Sequence, residues 1–164
     1  MNHDLDLSTG IFAVGTLLAT DDLVADELTA RGLTVRGRAL GWVTAEGSLT
    51  DAYNSLLWTR VGDRVVWVLD RAETPTADAF RDLVAGIPWN QVLYPGARVR
   101  VDVSGKMHWV KDTRFAGQLV MDAIRDQAQA ANRQRPDYDS VDPAVRIAVR
   151  FGRGTADIGV TLNL

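Results

Sequence analysis

The stretch Gly105–Pro136, "GKMHWVKDTRFAGQLVMDAIRDQAQAANRQRP", decides how the chain is read. Its middle has helical spacing. Leu119, Val120, Ala123, Ile124 and Ala128 form one apolar stripe, and Arg114, Gln118, Asp122, Arg125, Asp126 and Gln129 fall mostly opposite. A helix is predicted over 113–131, its polar side a solvated face with pairing of Asp122 to Arg125. The flanks are less ordinary. Lys106, Lys111 and Arg114 precede or open the helix, where free N–H groups already carry positive potential. Cations there oppose the helix dipole, and an arriving anion, phosphate above all, would account for them. Thr113 is placed to cap the helix or to donate to a phosphate oxygen. Arg133 and Arg135 follow the other end, where the dipole alone favours them.

Working outward, "ARVRVDVSG" (97–105) alternates as a strand does, with Val99, Val101 and Val103 on one face and Arg98, Arg100 and Asp102 on the other. "DPAVRIAVRFGRGTADIGVTLNL" (142–164) reads as a β-hairpin with its turn at "GRG". Those glycines lie between two strands, so the strand-to-helix context of a phosphate-binding loop is missing. Upstream, "TPTADAFRDLVAGI" (74–87) reads as a short helix capped by Thr76, and "PWNQVLYPG" (88–96) as loop.

The N-terminal half has its own order. "GIFAVGTLL" (10–18) reads as a buried strand. "TDDLVADELTARG" (20–32) reads as a helix, with Thr20 or Asp21 as N-cap and Gly32 past its end. "LTVRGRALGWVTAEG" (33–47) gives two strands with a turn at Gly37 or Gly41. "SLTDAYNSLLWTR" (48–60) gives a helix capped by Ser48, with Leu49, Tyr53, Leu56 and Leu57 apolar, and "DRVVWVLDRAE" (63–73) a strand. The order β-α-β-β-α-β predicts a ferredoxin-like α+β unit.

Composition narrows the function classes. The 164 residues are 46% hydrophobic and 24% charged, as in soluble globular domains. A net charge of −3 argues against a generic polyanion binder. Yet residues 1–72 hold six Arg against ten acids, net −4, while residues 73–164 hold twelve Lys or Arg against eleven acids, net +1. Between Arg98 and Arg135 stand eight bases and four acids, so the acidic total hides a basic segment. The absence of cysteine excludes disulfides, thiolate catalysis and Cys-based zinc sites. "IFAVGTLLA" is too short to span a membrane, and "MNHDLDLSTG" is acidic where a signal peptide is basic, so no membrane association and a cytoplasmic location are expected.

No catalytic constellation emerges. His3 and His108 each lack a Ser, Cys or carboxylate partner at a readable spacing. His108 could instead stack on or hydrogen-bond a base. Asp21-Asp22, Asp122/Asp126 and Asp137/Asp139/Asp142 show no metal-ligand pattern. Core packing is the default for Trp42, Trp58 and Trp67. Trp109 stands between Lys106 and Lys111, and aromatics interleaved with bases suit stacking on unpaired nucleotides.

"VKDTRFAGQLVMDAIRDQAQAANRQRPDYDSVDPAVRIAVRF" (110–151) resembles the core of the THUMP domain. The surrounding chain is similar to the N-terminal part of bacterial 23S rRNA guanine-N2 methyltransferases. "FAVGTLLATDDLVADELTARG" resembles that family's opening strand and helix. "DAYNSLLWTRVGDRVVWVL" resembles its second helix and strand, with a W-(T/S)-R signature. "MDAI", "RP" and "VDPAVRIAVR" follow its K-D-A-I … R-P … D-P-D-I-R-V order. Val120-Met121 departs from it, standing where many members carry a basic residue.

The resemblance implies a ferredoxin-like N-terminal subdomain (1–72) followed by a THUMP α/β domain (73–164). It implies an RNA-binding module presenting structured RNA, large-subunit rRNA, to a downstream methyltransferase domain that uses S-adenosylmethionine. These residues contain no N-P-P-Y or D-P-P-Y motif, so neither catalysis nor that cofactor is expected within them. The expected RNA surface comprises Lys106, Trp109, Lys111 and Arg114, with Arg133, Arg135, Arg98 and Arg100. DNA binding is not expected, and a monomer is the default. The alternative is a non-catalytic adaptor or protein-interaction scaffold for a separate RNA-modifying enzyme.

Overall fold

A computed structural model of the chain describes residues 6–16, 20–39, 41–59 and 62–162. His3 and Arg60, the last residue of the W-(T/S)-R signature, lie outside them. The described residues fall into two compact units, one over 6–68 with 161–162, the other over 69–160.

The first unit runs β1 (Gly10–Thr16), α1 (Asp21–Ala30), β2 (Thr34–Ala39), β3 (Trp42–Gly47), α2 (Leu49–Trp58) and β4 (Gly62–Glu73). The strand order is β2-β3-β1-β4, every pairing antiparallel, which is the ferredoxin-like arrangement the sequence predicts. Phe12 and Val14 of β1, Val43 and Ala45 of β3, and Val65 of β4 are fully buried. Ser48 and Asp51 close a capping box on α2, with bonds of 3.1 and 2.9 Å.

Two sequence expectations fail in this unit. The buried side of α2 is built on Ala52 and Ser55, while Tyr53 and Leu57 point outward. Small residues let the helix lie close to its neighbours, and the buried Ser55 hydroxyl is satisfied by donating to the Ala52 carbonyl at 2.6 Å. Of the tryptophans read as core, Trp67 is buried, but Trp42 and Trp58 are only partly so. Each of those two lies under a guanidinium, Arg64 at 5.5 Å and Arg31 at 4.9 Å.

The second unit adds α3 (Ala77–Ala85), α4 (Trp89–Val92), β5 (Arg98–Ser104), α5 (Thr113–Ala130), β6 (Asp137–Tyr138), β7 (Val145–Gly152) and β8 (Thr155–Thr161). Its strands lie in the order β8-β7-β5-β6. β7 and β8 form the predicted hairpin, and β5 runs parallel to β7 and to β6. The core joins Phe80 and Val84 of α3, Val120 and Ile124 of α5, Val99 of β5, Ile147 and Val149 of β7, and Ile158 of β8. Each such side chain contributes about 1.5–3 kcal/mol on burial.

Here too the sequence reading needs amendment. "PWNQVLYPG" contains a helical turn, α4, because Trp89 is buried and donates its indole N–H to the Val84 carbonyl at 2.8 Å. Gln127 of α5 staples the same segment. It accepts from Trp89 N at 2.9 Å and donates to the Ile87 carbonyl at 2.6 Å. Arg125 reaches the Pro136 carbonyl at 3.5 Å rather than pairing with Asp122. Val120 and Met121, the departure from the family pattern, are both buried, so that position packs the core.

One ion cluster is deeply placed. Asp157 accepts from Arg150 at 2.6 Å and lies 2.9 Å from Arg71, and the Asp157 and Arg150 side chains are each 11% exposed. Burial pushes the Arg150 pKa down, against the pull of Asp157.

Candidate nucleic-acid interface

The loop between β5 and α5 forms an open groove of about 530 Å³. Gly105, Lys106, Met107, His108, Val110, Lys111 and Thr113 line it. Gly105 makes the loop possible. It sits at φ +82, and a Cβ there would come 1.9 Å from the Phe151 carbonyl oxygen, so only glycine fits. Met107 is buried and anchors the loop to the core, and Val110 N closes a turn on the Met107 carbonyl at 2.9 Å.

Lys106, Lys111 and Arg114 are exposed, as is His108. None of these three cations has a hydrogen-bond or ion partner among the described residues. The helix start is another matter. Asp112, not Thr113, is the N-cap, its carboxylate accepting from Arg114 N at 2.9 Å. An acidic cap occupies the positive end of α5, so an anion here would meet side chains rather than free backbone N–H groups.

Trp109 is turned inward. Its ring lies 5.4 Å from Phe80 and 5.5 Å from Phe151, and its indole N–H donates to the Thr74 carbonyl at 2.7 Å. These contacts fix the groove loop and argue against the expected stacking on nucleotides.

The other expected cations are not gathered at the groove. Arg98 pairs with Asp142 at 2.8 Å, a bond that raises its pKa further, and lies 3.9 Å from Asp139. The Asp139 carboxyl is held below its usual value, chiefly by the backbone N–H groups of Asp142 and Val141 and then by Arg98. Arg100 pairs with Asp102 at 2.8 Å and donates to the Ser140 carbonyl at 3.2 Å. Arg133 donates to the carbonyls of Asn90 at 2.7 Å and Leu93 at 3.3 Å. These three arginines tie loops together. Arg135 is exposed and without such a partner, but it follows the far end of α5, a helix of 18 residues about 27 Å long.

One cation escapes the sequence reading. Arg153, in the β7–β8 turn, is exposed, and the turn follows directly on Phe151, against which Gly105 packs. Its signal in the sequence is an arginine just before Gly154, where a tight hairpin turn favours Asn, Asp or Gly. Among the described residues no group of three His, Asp or Glu is placed to hold a metal ion, and no helix is long and apolar enough to cross a membrane.

The described residues thus form two α+β units, the first ferredoxin-like and the second carrying a groove lined by cations. Residues 12–66 match the RlmL ferredoxin-like domain family. The ribosomal RNA large subunit methyltransferase K/L of Pseudomonas aeruginosa is 34% identical over 121 residues, 74% of this chain. The chain spans 17% of that relative's length. Among solved structures, SMU.472 complexed with SAH shares the fold at TM-score 0.76 and 19% identity, over 94% of this chain and 41% of its own. The 4-thiouridine synthetase in complex with RNA and bound ATP does so at TM-score 0.57 and 12% identity, over 95% and 41%. Over residues 12–66 the chain therefore resembles the RlmL ferredoxin-like domain, and over 121 residues it is similar to part of the ribosomal RNA large subunit methyltransferases K/L.

Proposed function

We propose that this chain is an RNA-binding module, with residues 1–72 as the ferredoxin-like subdomain and 73–164 as a THUMP RNA-binding domain. One observation carries the reading. Two unpartnered lysines, Lys106 and Lys111, line an open groove, and a third unpartnered cation, Arg114, follows its last lining residue, Thr113, in a chain whose net charge is −3. Concentrating unpaired positive charge at one concave place is what a polyanion requires. The relatives' name supports ribosomal RNA of the large subunit as that polyanion. Methyl transfer and S-adenosylmethionine belong, in this reading, to another part of a longer cytoplasmic protein.

The test is fluorescence anisotropy of a labelled rRNA hairpin with a single-stranded tail, titrated at several salt concentrations. Affinity is expected to fall with salt at a log–log slope of about −0.7 per neutralised single-strand phosphate. The triple variant Lys106→Ala/Lys111→Ala/Arg114→Ala is expected to lose most of that binding. A slope of zero for the wild type would sink the proposal.

The adaptor reading has one observation in its favour. Tyr53 and Leu57, one turn apart on α2, are 49% and 85% exposed. A stable protein partner that co-purifies in the absence of RNA, and is lost with Leu57→Ser, would support it.

A further inference from the structure

The β7–β8 turn holds a residue that its geometry disfavours. Arg153 has φ 52 and Gly154 φ 77, the two positive values of a type I′ turn. Asn, Asp or Gly suit the first of these positions, because other side chains crowd the backbone at positive φ. Arg153 stands there nonetheless. Its side chain is exposed and has no hydrogen-bond or ion partner among the described residues. Nothing within the unit compensates for the strain.

The turn is fixed beside the groove by three separate ties. Ser104 and Arg150 are register partners, so β5 and β7 end side by side. Gly105, in the groove wall, packs against the backbone of Phe151, two residues before Arg153. Thr74 donates its N–H to the Gly154 carbonyl at 3.0 Å while its own carbonyl accepts from Trp109 of the groove loop at 2.7 Å. The hairpin tip and the loop bearing Lys106 and Lys111 therefore share one end of the sheet.

We infer that Arg153 is a further phosphate-binding residue of this groove, held at its rim by the hairpin turn. A planar guanidinium can take a phosphate with two parallel hydrogen bonds, which a lysine cannot, so Arg153 would fix where along the groove a phosphate sits. The inference rests on the RNA-binding reading of the groove.

The test uses Arg153→Asn and Arg153→Lys in the 164-residue chain, with the same labelled hairpin. Asparagine suits the turn and removes the charge. Its melting temperature is expected to equal or exceed the wild type, while RNA affinity falls roughly three- to tenfold and the salt slope loses about 0.7, one phosphate. Lysine keeps the slope and loses part of the affinity. Arg153→Asn binding with wild-type affinity and slope would overturn the assignment and leave the groove reading standing. A fall in its melting temperature alongside the affinity would also overturn it, by making the effect structural. Absence of RNA binding by the wild type itself would remove the groove reading, and this inference with it.

Discussion

Trp109 is flanked in sequence by the two groove lysines, yet its ring packs against Phe80 and Phe151. Its part is to hold the loop in place. Trp109→Phe keeps the ring contacts and removes the bond to Thr74. It is expected to cost about 1 kcal/mol in urea denaturation and to leave RNA affinity within about twofold. A folded Trp109→Phe protein that no longer binds RNA would return the ring to the interface. The same divide separates the cations. Lys106, Lys111 and Arg114 keep the freedom that the sequence gives them. Arg100 is engaged by its near neighbour Asp102, but Arg98 and Arg133 are engaged by Asp142 and Asn90, each about forty positions distant. No local pattern announces such partners, so charge was legible in the sequence and its availability was not.

At the scale of elements, most of the fold followed from periodicity. β1, α1, β3, α2, α5 and the β7–β8 hairpin lie where alternation, helical spacing and caps put them. α4 and β6 did not follow. They have four and two residues, too few to show a period, and both depend on distant partners, Gln127 for α4 and the Arg98–Val99 edge of β5 for β6. The buried face of α2 was misread for a related reason. Hydropathy ranks Tyr53 and Leu57 above Ala52 and Ser55, but close approach favours small side chains. The groove loop rests on a comparable demand at Gly105. Gly105→Ala adds a Cβ 1.9 Å from the Phe151 carbonyl oxygen at a positive φ. It is expected to lower stability by about 3 kcal/mol, measured by thermal or urea unfolding, and to abolish RNA binding in the fraction that folds.

On the scale of the whole molecule, charge is partitioned with the sequence, net −4 over residues 1–72 and +1 over 73–164, and the groove lies in the second part. The chain spans 17% of the relative from Pseudomonas aeruginosa, which is named for methyl transfer. Isothermal titration of these 164 residues with S-adenosylmethionine is therefore expected to show no binding. Micromolar affinity would place cofactor chemistry where no site residue has been found. The parallel pairing of β5 with β7 bears on the order of folding. Val99 meets Val145 only after the loop, all of α5 and β6 have been traversed, a separation of 46 positions, whereas β7 and β8 meet across two residues. Loop-closure entropy makes the hairpin the early structure and its union with β5 the late one. The groove needs both, since one wall follows β5 and its neighbour is the hairpin tip. If the groove holds an anion as proposed, that competence follows the joining of β5 to the hairpin, and a nascent or partly unfolded chain presents the same lysines without the concavity that gathers them.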